Sequence, residues 1–239
     1  MPFRNMTLQQ AAARLHLDVH VVEQLVKREE IPFVRRGEEP VFVRRDLDAW
    51  ASQRLLGLQS VATHVHHAAS TRRFDTSGSP TALMPRLFRA ERIEPRLLSK
   101  TKPAVLRDLV SLAARTDLLY DEAALLQGVL ERESLCSTAL DHGVAFLHAR
   151  YHDPHICGES FALLARTANP IFAGAADGQT TDLFFLLCCQ DDTMHLHTLA
   201  RLCALAHATP LLSELRQAET SEEMLAALIR NEEKLLRTM

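Results

Sequence analysis

The stretch DHGVAFLHAR, residues 141–150, puts a histidine, His148, at the end of a short apolar run. A histidine there can fill a core, ligate a metal or act as a nucleophile, because a neutral imidazole carries a ring-nitrogen lone pair near pH 7. The run alone leaves all three open. His64, His66 and His67 in ATHVHHA have the residue types of a chelate. No cysteine, carboxylate or rigid element supports them, which argues against a metal site. The five cysteines, Cys136, Cys157, Cys188, Cys189 and Cys203, form no CxxC pair and stand mostly in apolar surroundings. Neither zinc nor a disulfide framework is expected, and a reducing compartment is.

The elements that must hold such residues fall into three zones. The chain has 239 residues, 47% hydrophobic and 24% charged, with a net charge of -3. That is globular material with no general attraction for nucleic acid, so a DNA-binding site must be local. No apolar stretch nears the roughly 20 residues that span a bilayer, and MPFRNMTLQQ lacks a signal-peptide core. A cytoplasmic protein is expected. In residues 1–56, TLQQ at 7–10 is a capping box opening a helix with Ala11, Ala12 and Leu15 inward. Asp18 caps a second helix carrying Val22, Leu25 and Val26, which Pro32 stops. FVRRGEEPVFV gives two short strands around Gly37, and Asp46 opens a third helix. Residues 57–85 have no sustained period and read as a flexible linker. Residues 86–239 alternate helices (KPAVLRDLVSLAAR, DEAALLQGVLERE, HTLARLCALA and a last one opened by TSEE) with the strand-like runs GVAFLHA and DLFFLLCC. This predicts an α/β domain, its central mixed sheet covered by helices on both faces.

The first zone, through TLQQAAARLHLDVHVVEQLVKREEIPFVRRG and PVFVRRDLDAW, resembles the excisionase and MerR-like winged helix-turn-helix family. The resemblance implies a small α+β DNA-binding domain. His20, Gln24, Lys27 and Arg28 would lie on or at the end of its recognition helix, and Arg35 and Arg36 on its wing. Gln and Arg suit adenine and guanine edges, and Lys suits phosphate. Glu29-Glu30 stand where that family usually has glycine, and Glu38-Glu39 occupy the wing tip. Between Arg4 and Arg54 there are nine Lys and Arg against eight Asp and Glu. Such modules commonly pair, so a homodimer is expected.

The last zone, through GVLERESLCSTALDHGVAFLHAR, NPIFAGAADGQTTDLFFLL and DDTMHLHTLARL, resembles the enzyme IIA domain of the fructose-mannitol type in the bacterial sugar phosphotransferase system. Its layout is closest to the nitrogen-regulatory branch. The resemblance implies that His148 is phosphorylated by an HPr-type carrier. Arg132 matches the phosphate-facing arginine, His195 the second site histidine, and Ser137 and Thr138 the polar step beside them. Leu147 stands where the family has proline, and Cys136, Ala139 and Asp141 replace its glycine-rich run. His142, His152, His155 and His197 are expected to be surface or packing residues.

Together these imply a cytoplasmic two-domain regulator of the phosphotransferase system, without cofactor, metal or membrane contact. Its phosphorylation at His148 would control transcription or partner proteins such as a kinase, a transporter or a sigma-type factor. A different class is an interaction protein that keeps the IIA fold without carrying phosphate, its first domain pairing with protein or with itself.

Overall fold

The computed structural model describes residues 5–15, 17–37, 39–57 and 82–237. Glu38, most of the expected linker, and with it His64, His66 and His67, lie outside the described residues.

Near the start, Thr7 and Gln10 close the expected capping box: Thr7 N donates to Gln10 Oε1 at 3.0 Å and Gln10 N to Thr7 Oγ1 at 3.3 Å. Helix α1 (Leu8–Leu15) buries Ala11, Ala12 and Leu15. Asp18 accepts from His20 N to cap α2 (Val19–Lys27), which buries Val22 and Leu25. Past the end of α2, Glu29 takes φ +56°, and Glu30 N returns to Leu25 O at 2.9 Å. That left-handed position favours glycine, and an L side chain there costs about 1–2 kcal/mol. Strands β1 (Asn5–Met6), β2 (Val34–Arg36) and β3 (Glu39–Val43) pair antiparallel in the order β1-β3-β2. Helix α3 (Arg44–Gly57) follows β3 without a gap, so Asp46 sits in its first turn and does not cap it. Its charge still favours that end of the helix dipole.

The rest of the described chain is built on a four-stranded sheet. It comprises α4 (Met84–Leu87), β4 (Ile93–Leu97), α5 (Lys102–Ala114), α6 (Glu122–Leu135) and β5 (Val144–His148). Then come β6 (Phe161–Ile171), β7 (Thr181–Cys188), α7 (Asp192–Ala208), α8 (Leu211–Gln217) and α9 (Ser221–Arg237). The strand order is β4-β6-β7-β5, with β4/β6 and β5/β7 parallel and β6/β7 antiparallel. Side chains alternate across the sheet. Phe146, Leu164 and Phe185 enter one core with α7, α8 and α9, while Leu147, Leu163 and Phe184 enter another with α5 and α6. Burial on both faces explains why β5 and β7 read as continuous apolar runs. Strands β4 and β6 escaped the sequence reading. IEPRL alternates too weakly, and FALLARTANPI carries an arginine and a proline.

The first module touches the second at the start of α7, where Leu196 packs against the cores of both. Among the described residues, no helix is long and apolar enough to cross a membrane.

A buried ion pair fastens the second module. Arg201 of α7 and Glu232 of α9 are both fully buried and meet at 2.6 Å. The same carboxylate accepts Leu83 N and Met84 N, each at 2.8 Å. Residues 83–85, assigned to the linker by composition, therefore belong to the folded module, because Glu232 binds their backbone and Leu83 and Met84 are buried. Glu232→Ala would remove the carboxylate that neutralises the buried Arg201 charge. Urea denaturation of this variant should show a loss of about 3–5 kcal/mol; a loss below 1 kcal/mol would mean the pair carries little of the fold.

Candidate active site

His148 is the last residue of β5 and is 2% exposed. Its Nδ1 lies 2.9 Å from the Phe146 carbonyl, which can only accept, so Nδ1 carries the proton and donates. Nε2 keeps its lone pair, and Arg132 Nε donates to it at 3.1 Å. Burial first, then the Arg132 charge, push the ring's pKa down to about 3. His148 is thus a neutral imidazole of defined tautomer at ordinary pH.

Arg132 arrives on the last turn of α6. That helix lies close to the segment after β5 because Gly128 has no side chain: a Cβ there would stand 3.0 Å from Ala149 Cβ. Arg150 N also donates to Gly128 O at 2.9 Å. One turn further on, Arg132 is 3% exposed and places Nη1 on the Cys136 carbonyl (3.0 Å) and Sγ (3.4 Å). Its Nη2 is buried and has no hydrogen-bond partner among the described residues. A buried guanidinium with an unused donor beside a nucleophilic nitrogen is arranged for an anion.

His195 comes from α7. Asp191 caps that helix by accepting from Thr193 N and Met194 N, which fixes where the helix begins and so where His195 projects. Its ring, 1% exposed, lies 4.5 Å from that of His148. Burial, reinforced by the neighbouring histidines and Arg132, holds it well below the usual histidine range. His152, expected among surface or packing residues, packs on His195 with ring centroids 4.3 Å apart and donates from Nδ1 to Asp192 Oδ1 at 2.8 Å. Nothing in the spacing of HARYH marks it.

The structure brings His148, Arg132 and His195 together, but spends the Ser137 and Thr138 side chains elsewhere. Ser137 Oγ donates to Ala173 O at 2.7 Å and accepts from Lys102 Nζ at 3.0 Å. Thr138 Oγ1 bonds Glu133, which is also paired with Lys102. Their segment braces β5 through its backbone, Phe146 N reaching Thr138 O at 3.2 Å. The four residues that depart from the family pattern are also placed. Leu147 is fully buried opposite Leu186, and Ala139 bridges Ala145. Cys136 holds Arg132, and the Asp141 carboxylate lies 3.6 Å from His142 Nε2. His197 is buried and His155 exposed. Asp141, His142 and His207 have metal-ligand atoms within 4.8 Å of one another, yet share no residue with the histidine site.

In the first module, His20, Lys27, Arg28, Arg35 and Arg36 are exposed and Gln24 is half-buried. Gln24 Nε2 and His20 Nε2 stand 3.4 Å apart on α2.

Comparison with known proteins identifies the family of the second module. The family described as phosphoenolpyruvate-dependent sugar phosphotransferase system, EIIA 2, matches residues 86–231. A nitrogen regulatory protein of Bradyrhizobium diazoefficiens is 32% identical over 144 residues, 59% of this chain and 92% of that protein. The fructose-specific EIIABC component of Bacillus subtilis is 27% identical over 59% of this chain and 22% of its own length. Among solved structures, the nitrogen regulatory protein IIA-Ntr of Neisseria meningitidis superposes with a TM-score of 0.56 at 23% identity, covering 62% of this chain and 99% of that one. IIA mannitol of Escherichia coli gives 0.52 at 17% identity, covering 59% and 98%; both show a shared fold. The matched residues are more than half of the chain, which therefore belongs to the EIIA 2 family of the phosphoenolpyruvate-dependent sugar phosphotransferase system.

Proposed function

We propose that the chain is a phosphotransferase-system regulator in which His148 Nε2 accepts a phosphoryl group from an HPr-type carrier and the first module binds duplex DNA. The observation that carries the first half is the unprotonated Nε2 of His148 facing Arg132, whose Nη2 has no hydrogen-bond partner among the described residues. As the His148 N–P bond forms, the N–P bond of the carrier's phosphohistidine breaks and its electron pair returns to the carrier ring. Each ring keeps the proton on its other nitrogen, here held by Phe146 O. Arg132 must swing off the lone pair onto the phosphoryl oxygens, where its planar donors offset the spread negative charge.

For the first module, the support is the resemblance of its sequence to winged helix-turn-helix domains and the exposure of His20, Lys27, Arg28, Arg35 and Arg36. Pairing into a homodimer belongs to this reading. A second reading, an interaction protein that carries no phosphate, is favoured by the deep burial of His148 and by Arg132 already covering Nε2.

Intact-protein mass spectrometry after incubation with a phosphorylated HPr-type donor separates the two. A single phosphate-sized gain is expected on the wild type and none on His148→Ala, with Arg132→Lys slower by about a hundredfold. No gain on the wild type would favour the second reading.

Burial of a neutral His148 also sets a pH dependence. The ring's folded pKa is about 3 against an ordinary 6.5, so the unfolded chain binds a proton that the folded chain refuses. Stability should fall as pH drops from about 6.5 towards 3. Chemical denaturation across that range should show a shallower fall for His148→Gln; equal slopes would mean His148 is not buried neutral.

For DNA, affinity should drop steeply with salt, and Arg35→Ala with Arg36→Ala should reduce the logarithmic slope by about 2. A salt-independent association, or none, would turn the first module into a protein-pairing device.

A further inference from the structure

Asp192, the first residue of α7, stands between the two modules. Its Oδ1 takes the hydrogen bond from His152, and its Oδ2 lies 3.1 Å from Arg14 Nη2 and 3.5 Å from Arg44 Nη2 of the first module. Asp48 of α3 joins them, held by Arg14 through Nε at 2.5 Å and Nη2 at 2.8 Å. On the other side, the His152 ring packs at a tilt on His195, and His195 on His148. One carboxylate and two rings thus join the first module to the candidate phosphoryl acceptor.

His152 Nε2 is buried and has no hydrogen-bond partner among the described residues. With Nδ1–H committed to Asp192, a proton taken up at Nε2 creates an imidazolium backed by a carboxylate, with a donor to spare. A phosphoryl group at His148 brings close to two negative charges into this buried stack and favours that protonation. The charged groups around Asp192 and His152 are Arg14, Arg44 and Asp48 of the first module, Asp191 and Asp153 nearby, and Arg132 beyond His148. Asp192 carries one negative charge. When His152 is protonated, it draws on the carboxylate that otherwise holds Arg14 and Arg44.

We propose that His152 is a positioning residue for the phosphorylated site, and that the first module competes with it for Asp192 through Arg14 and Arg44, so that phosphorylation of His148 loosens the docked module. This rests on His148 being the phosphoryl acceptor. By reciprocity, docking of the module opposes phosphorylation by the same factor.

The test uses the full chain with 15N-labelled histidine and follows each ring's protonation by NMR, first with no phosphoryl donor. At a fixed pH a larger fraction of His152 rings should carry the second proton in Arg14→Gln than in the wild type, since a cation close to its carboxylate is gone. Arg14→Lys should restore the wild-type titration, and Asp192→Asn should lower it. An unmoved His152 titration in Arg14→Gln overturns the competition, whether or not His148 is ever phosphorylated. After treatment with the phosphorylated carrier, small-angle scattering should show a larger radius of gyration for chain carrying phosphate on His148. Phosphate on His148 with an unchanged radius overturns the release step. Failure of His148 to take phosphate overturns the acceptor reading and the release together, while the titration still decides the competition.

Discussion

The hydrogen bond from His148 Nδ1 to the Phe146 carbonyl is the constraint on which the site depends. A carbonyl can only accept, so the bond assigns the single ring proton to Nδ1 and leaves the Nε2 lone pair exposed to whatever lies beyond it. Burial then keeps the second proton off, with the ring's pKa pushed down to about 3. Arg132 fits this arrangement as a donor to a lone pair, which an imidazolium would repel. The bare Gly128 lets α6 approach closely enough to deliver it, and the Asp191 cap starts α7 where His195 meets the His148 ring. A change of tautomer at one ring would leave Arg132 facing an N–H.

The sheet supplies the rigidity this requires. His148 ends a strand whose every residue is buried, and its neighbour β7 is buried almost throughout. Helices cover both faces, and on one of them the Arg201–Glu232 pair ties α7 to α9 and to the backbone ahead of α4. The first module rests against the same α7, through Leu196 and Asp192, so the helix that carries His195 also carries the contact between modules. Of the residues that the helix-turn-helix resemblance singles out, His20, Lys27, Arg28, Arg35 and Arg36 are exposed and Gln24 is half-buried.

Much of this was legible in the residues. The capping boxes at Thr7 and Thr220 and the Asp18 cap appear as the hydrogen bonds their spacing predicts. The two apolar runs became β5 and β7, and the order of motifs picked out His148, Arg132 and His195, which the fold does bring together. Contacts between residues distant in sequence were not legible. His152 lies four residues beyond His148 and reaches Asp192 forty positions away, with no periodicity to announce it. Leu83 and Met84 looked like linker because their partner, Glu232, is about 150 positions distant. The Ser137 and Thr138 hydroxyls, whose residue types suggest a place beside the site, are bonded to Ala173 O and Glu133, contacts that no spacing in the sequence marks. Asp46 was given a cap because its type suits one, although α3 starts directly from β3, two residues earlier.

The most direct test of the neutral-ring mechanism is the chemical identity of the phosphohistidine, read by 31P and 15N NMR on phosphorylated full-length chain. A proton kept on Nδ1 by the Phe146 carbonyl predicts one phosphoryl group, bonded to Nε2 of His148, with the Nδ1–H signal retained. A phosphoryl group on Nδ1, or on His152 or His195 with His148 unmodified, would contradict it.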